Sequence, residues 1–474
     1  PNWEALQGTA TQPILLINYP GERVIFAPRA PGATVGTLIG KTQYVIIHGL
    51  EFEGEDPSGA LSDRLFEISG QTSHITFAYS EFRNGAKWNI FFYIAGKHDY
   101  MTFDHVVTHD TAGEHCVYVN DKGDTKNDWK ILNSLFYRCH RHGLHLRGFL
   151  NRFLVEGNIF HTNALSGIEM KNGVRDSIFR NNLIFNNGRA LIIYGENDGT
   201  INERRANQNN QFVNNIILMG NEVNGMGENC RTVGCFPGPP PWCCETRDPS
   251  PHSAIIFVHD EAEQWTFSNH KFINNIFISH GAPIFKFWAA SGGDPSRDIP
   301  TTTLENNVFY RVYSGPPNDL AGMAVCGWTD NTHNDYDVIN NRNICDSTFY
   351  YWNLNSLQNP SRRPLIKNNI LVNDMTSLFI DVKGSYALEP GSFNFDHAPT
   401  SPAIDLGTLV GAPLLDLRRI LRTGRPDAGA YEFTGTPSFG YSLSIIPPTQ
   451  SVQQGQATLP YTVTVTYQSG TPEA

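Results

Sequence analysis

The chain has 474 residues, 40 % of them hydrophobic and 17 % charged, and 35 basic against 46 acidic side chains leave a formal net charge of −11. That length supports a large core and more than one domain, and the acidic balance excludes nucleic acid as the main partner, because phosphate binding needs a basic footprint. No apolar run approaches the ~18 residues of a membrane span, and the 42 Gly and 29 Pro stay below the roughly 25–30 % of low-complexity chains.

The first residues, "TQPILLINYPGERVIFAP", already alternate and turn like strand and loop inside a domain, and the far end, "TVTVTYQSGTPEA", stops just after a strand. The chain therefore reads as a processed or truncated piece of something longer. Next come "YVIIHGLEF", "HITFAYSEF" and "YMTFDHVVT". Their apolar positions alternate, where a helical repeat would space them by three to four. β-branched and aromatic residues fill these runs, as strands prefer, and Gly, Asn and Asp punctuate them, as turns require.

Further along, one phrase recurs as "VEGNIF", "FRNNLIF", "FVNNIIL", "FINNIFI", "LENNVFY", "NRNICD" and "IKNNILV". Its matched residues are Asn158, Asn182, Asn215, Asn275, Asn307, Asn343 and Asn369, and weaker earlier copies place Gly49, Ser80, Asp104 and Asn133 at the same point. Successive intervals run from 24 to 36 residues, except for 60 between Asn215 and Asn275. A fixed period of this length predicts a solenoid of short parallel strands, each coil stacking on the last. Asn at a fixed corner tolerates a left-handed turn, and its amide can bond the same amide one coil away, forming a ladder.

The long interval holds an insertion over about 220–252, "CRTVGCFPGPPPWCC" within it, where Cys230, Cys235, Cys243 and Cys244 crowd together. It lacks the two separated C-x₂-C knuckles of a zinc ribbon, so a disulfide-stapled loop is expected. Cys116/Cys139 and Cys326/Cys345 are further candidate pairs. Disulfides imply an oxidising compartment, hence a secreted, extracellular or cell-surface location. After Phe433 the composition shifts to Thr, Ser, Pro and Gln.

The repeated Asn phrases resemble those of the right-handed parallel β-helix, the pectate-lyase-like superfamily. The opening coils resemble those of many secreted members. "SPAID" (401–405) with "GRPDAGAYEF" (424–433) resembles the closing segment of a bacterial group of such proteins. The resemblance covers roughly residues 10–433 and implies an all-β fold: a right-handed parallel β-helix of about 11 coils over 1–433. Residues 434–474 then form a linker and a segment resembling the first strands of an immunoglobulin-like module, shorter than the ~100 residues such a sandwich needs. The same corner phrases occur in lyases, hydrolases, epimerases and non-enzymatic surface proteins, so the resemblance speaks to fold more than to function.

Four runs align by their alternation: "CVYVN" (116–120), "GLHLR" (143–147), "GIEMK" (167–171) and "ALIIY" (190–194). The inward pairs are then Val117/Val119, Leu144/Leu146, Ile168/Met170 and Leu191/Ile193, all apolar, which supports the register. The opposite, solvent-facing positions form two columns: Tyr118, His145, Glu169, Ile192 and Asn120, Arg147, Lys171, Tyr194. Stacking Arg147 on Lys171 sets like charges opposite each other, which is destabilising without a use. Beyond the insertion, "AIIFVHDE" (254–261) would add His259, Asp260 and Glu261.

This patch suits β-elimination of a uronic-acid polysaccharide, which needs a cation for the carboxylate, a base for the C5 proton and an acid for the leaving oxygen. Arg147 would neutralise the carboxylate and Lys171 would be the base, its pKa lowered by the guanidinium. Glu169 would hold a calcium ion or orient His145, and His145, Tyr194 or His259 would be the acid. Some calcium-dependent lyases of this fold similarly pair a Lys base with an Arg, so calcium is the cofactor the resemblance admits. Asp260, Glu261, Glu196 and Trp242 are candidate substrate contacts. Glycoside hydrolysis by paired carboxylates, from Glu169, Asp260, Glu261, Glu196 and Asp198, is a second enzymatic reading. The non-catalytic reading is a rod or glycan-binding platform that self-associates end to end or through its C-terminal strands.

Overall fold

Short alternating runs, each ended by a residue that accepts positive φ, fold as strands of two to eight residues. A computed structural model describes residues 2–30, 32–92, 96–120, 125–195, 207–218, 255–259, 268–280, 284–289, 301–312, 323–327, 365–372, 374–381, 394–434, 440–446 and 462–469. Cys230, Cys235, Cys243, Cys244 and Cys345 lie outside them. The strands stack into three parallel sheets, along each of which eleven strands follow one another in coil order; a twelfth joins the second sheet beside its path. A three-stranded sheet lines one corner. This is a parallel β-helix. The one described helix is a single 3-10 turn, Met375–Ser377, and no described helix is long and apolar enough to cross a membrane.

The paired asparagines divide their work. The first of each pair takes the left-handed turn: Asn181, Asn214, Asn274, Asn306 and Asn368 have φ between 53° and 56°. The second builds the ladder. Asn158, Asn182, Asn215, Asn275, Asn307 and Asn369 are joined in sequence, each Nδ2 donating to the next Oδ1 at 2.9–3.0 Å. Sequence reading assigned both roles to the second Asn. In the early coils Leu50, Ser80, Val106 and Ser134 occupy the ladder position: Ser80 lies where expected, Gly49 and Asn133 are the turn residues one place before it, and Asp104 lies two before. Asn307 bonds directly to Asn369, so no ladder rung falls at Asn343, itself outside the described residues.

Asn215 shows what a rung is worth. Its Oδ1 accepts from the backbone N–H and Nδ2 of Asn182 at 2.9 and 3.0 Å, and its Nδ2 donates to Phe179 O and Asn275 Oδ1, both at 2.9 Å. Asn215→Ala leaves several buried groups unsatisfied, each costing about 1–3 kcal/mol. Local protection of the adjacent amides in hydrogen exchange is expected to fall by roughly 2–4 kcal/mol; unchanged protection would contradict the ladder's role.

Inward residues fill the solenoid with stacked rings, such as Phe179, Phe212 and Phe272 at 5.0 and 4.7 Å between centroids. In the later coils of the third sheet both faces are dry. Ile184, Ile217, Phe277 and Phe309 point inward. Leu183, Phe185, Ile216, Leu218, Ile276, Ile278 and Val308 are buried outside, beneath Phe379, Phe395, Ala403, Ala428 and Ala430. This is why "LIF", "IIL" and "IFI" read as continuous apolar runs. The segment resembling a closing piece thus covers a flank of the helix. The left-handed corner residues hold it there: Asn214 Nδ2 donates to Asp427 O, and Asn274 Nδ2 to Thr408 O.

The chain divides into Pro1–Glu432 and Phe433–Ala474. In the second unit, Gly440–Ile446 pairs antiparallel with Thr462–Ser469.

Two buried histidines set an acid limit. Burial pushes the imidazoles of His270 and His397 down to about 4, against about 6.5 in an unfolded chain. Between those values only the unfolded chain takes the proton, so stability is full above about pH 6.5 and falls as pH drops toward 4. The loss is on the order of 3 kcal/mol per group. Urea midpoints are expected to be lower at pH 4.5 than at pH 7.5, and His270→Gln should flatten the difference.

Candidate active site

The site lies on the first sheet, where Val117–Asn120, His142–Arg147, Ser166–Lys171 and Arg189–Gly195 follow one another. The pairing is Tyr118↔His145↔Glu169↔Ile192 and Asn120↔Arg147↔Lys171↔Tyr194, the two columns expected from alternation. Leu144, Leu146, Ile168 and Met170 are buried in the core.

The solvent-facing expectation is corrected. Glu169 is only 8 % exposed and His145 6 %, because two further histidines and a tyrosine crowd against them. The Glu169 carboxylate meets His142 Nε2 at 2.6 Å and His145 Nε2 at 3.6 Å. His145 Nδ1 lies 2.8 Å from His115 Nε2, and the His145 ring stacks on Tyr118 at 4.7 Å. The Tyr118 hydroxyl accepts from Arg147 Nη1 at 3.3 Å. Glu114 stands at the edge, 3.4 Å from both His115 Nε2 and Arg141 Nη1.

Burial pushes the His145 imidazole down to about 3, against the pull of Glu169, and pushes His115 well below its usual range with help from His145 and His142. Burial opposes the charge of Glu169, but His142, His145 and Lys171 hold its carboxyl well below the usual carboxylate range. Burial raises the Tyr118 phenol, with Arg147 working against it. His115 and His145 are thus neutral beside an ionised carboxylate and a protonated phenol.

His115, Tyr118 and His142 were not among the residues expected from sequence. Tyr118 was legible, since it heads the His145 column. His142 follows the turn in "CHRHG", and strict alternation puts it in phase with Leu144. Gly143 lets the strand begin tightly against the next coil, since a Cβ there would sit 2.8 Å from Gly167 O. His115 precedes its strand. A disulfide joins Cys116 to Cys139 and staples together the segments carrying His115 and His142.

Of the other expected site residues, one falls in its expected column. Tyr194 is in register with Lys171. Tyr194 is followed in its column by Val258, while His259 pairs with Gly195, so His259 lies one place beyond the Arg147–Lys171 column. Asp260, Glu261, Glu196, Asp198 and Trp242 lie outside the described residues.

Residues 115–309 match the family model described as "Right handed beta helix region". Among solved structures, the chain is similar to pectate lyase Pel9A, at 12 % identity over 89 % of this chain and 88 % of that one, with a TM-score of 0.42. It is similar to an alginate lyase from Paenibacillus sp. str. FPU-7, at 12 % identity over 64 % and 85 %, TM-score 0.35. It is also similar to the A-module of the mannuronan C-5 epimerase AlgE4 from Azotobacter vinelandii, at 11 % identity over 78 % and 84 %, TM-score 0.31. No curated protein matches the sequence.

Proposed function

We propose that this chain, a right-handed parallel β-helix, cleaves a uronic-acid-containing polysaccharide by β-elimination. The observation that carries this reading is the register of Arg147 beside Lys171, with the Tyr118 hydroxyl 3.3 Å from the guanidinium. Adjacent parallel strands are about 4.8 Å apart, so one sugar unit can meet all three groups. Arg147 pairs with the uronate carboxylate and stabilises the charge that develops on it. Lys171 Nζ takes the C5 proton. The released electron pair forms the C4–C5 double bond, the C4–O bond breaks, and the Tyr118 phenol gives its proton to the leaving oxygen. Glu169 and His145 position Tyr118 from behind, through the ring stack. Tyr194 is in register with Lys171 on the next coil. The Cys116–Cys139 disulfide supports a secreted or surface location.

Mass spectrometry of the products from a panel of uronate polysaccharides tests this reading. Elimination leaves fragments lighter by one water than hydrolysis does. Hydrolytic fragments would favour the paired-carboxylate mechanism, and binding without cleavage would favour a non-catalytic platform.

A further inference from the structure

We propose that His115, His142 and His145 bind one divalent transition-metal ion of the zinc class, with the Glu169 carboxylate beside the cluster. This inference goes beyond the elimination chemistry and does not depend on it.

Each imidazole offers one ring nitrogen, and these nitrogens lie within 4.8 Å of one another. An ion ~2.0–2.1 Å from each nitrogen draws them to within about 4.2 Å, a closure that small side-chain rotations provide. All three rings are buried, and His115 Nδ1 and His145 Nε2 have no hydrogen-bond partner. A buried polar atom without a partner is uncommon and needs a reason; a ligand in the cluster supplies one. His142 Nδ1 is bonded to Ser166 Oγ, which orients its Nε2 toward Glu169, as outer partners of ligating histidines do.

The scaffold is also that of a fixed site. His115 and His142 stack at 4.8 Å on neighbouring coils, and the Cys116–Cys139 disulfide ties those coils one residue from His115 and three from His142. His145 meets the other two rings edge-on at 4.4 and 5.2 Å. The carboxylates of Glu114 and Glu169 offset the positive charge that Arg141, Arg147 and Lys171 bring. Three imidazoles suit zinc, copper, nickel or iron. Calcium takes oxygen ligands only, so the ion expected here differs in class from the calcium that the resemblance to lyases admits.

The full chain, treated with a chelator and dialysed, would be titrated with Co²⁺ while the visible spectrum is followed. One equivalent is expected to give the absorption of a low-coordinate cobalt site, which Zn²⁺ abolishes and Ca²⁺ does not. His142→Ala should weaken uptake by roughly 100-fold or more, and Ser166→Ala by about 10-fold, in the range seen for outer-shell changes. Far-ultraviolet circular dichroism would confirm that each variant is folded. If His142→Ala does not fold, anomalous scattering at the zinc edge from zinc-loaded wild-type crystals decides, with one peak expected among the three imidazoles. Absence of uptake by the wild-type chain overturns the proposal. So does a peak elsewhere, or undiminished uptake by folded His142→Ala.

Discussion

Lys171→Ala is expected to lower the rate of uronate elimination by about 10²–10⁴-fold, the usual contribution of a positioned general base. The side chain sits at the end of Ser166–Lys171 on a strand whose inward residues, Ile168 and Met170, remain in the core, so the fold should persist. The loss should fall on kcat, because substrate recognition rests with Arg147. Arg147→Gln should instead raise KM as well as lower kcat, since it removes carboxylate pairing in both ground and transition states. Steady-state kinetics on a cleaved substrate separates the two. Equal KM increases in both variants would contradict the division of roles.

Arg422→Ala is expected to release the segment that covers the third sheet. The guanidinium is buried and donates to Glu432 Oε2, Asn181 Oδ1 and Gly429 O, all at 2.9 Å. Its removal leaves the buried Glu432 carboxylate without its cation, a change worth about 3–5 kcal/mol. A long solenoid does not unfold as one unit, so the loss should be local. Hydrogen exchange should show it at Ala428 and Gly429, whose N–H groups bond Ala403 O and Asn274 O, with amides of the first sheet unchanged. Equal loss of protection in both places would show that the segment and the solenoid unfold together.

Much of this was legible in the sequence, for physical reasons that can be named. Alternation in 116–120, 143–147 and 167–171 carried the register, because a slip of one residue would have turned Leu144, Leu146, Ile168 and Met170 out of the core. The doubled Asn carried the coil period. It did not reveal its own division of labour, since both residues of "NN" satisfy the same preference for left-handed turns. The histidine cluster was hidden for a different reason. His115 and His142 sit outside the alternating runs, and only coil stacking and the disulfide bring them to His145. Glu169 and His145 looked solvent-facing because strand parity says which face a residue takes, and says nothing of what covers that face. The flank-covering segment left a signal in the continuous apolar strands "LIF", "IIL" and "IFI", whose second dry face demanded a partner. The excursion between Asn307 and Asn369 carried a chance likeness to the repeat at Asn343, which the direct bond between those two asparagines excludes as a rung.

The most direct measurement is ultraviolet absorbance of the wild-type chain mixed with pectates, alginates and glycosaminoglycans, beside Lys171→Ala. Elimination at this face predicts growing absorbance from unsaturated uronate ends with at least one substrate, lost in Lys171→Ala. A wild-type chain that produces no such absorbance with any of them, or a Lys171→Ala chain that matches the wild type, would contradict it.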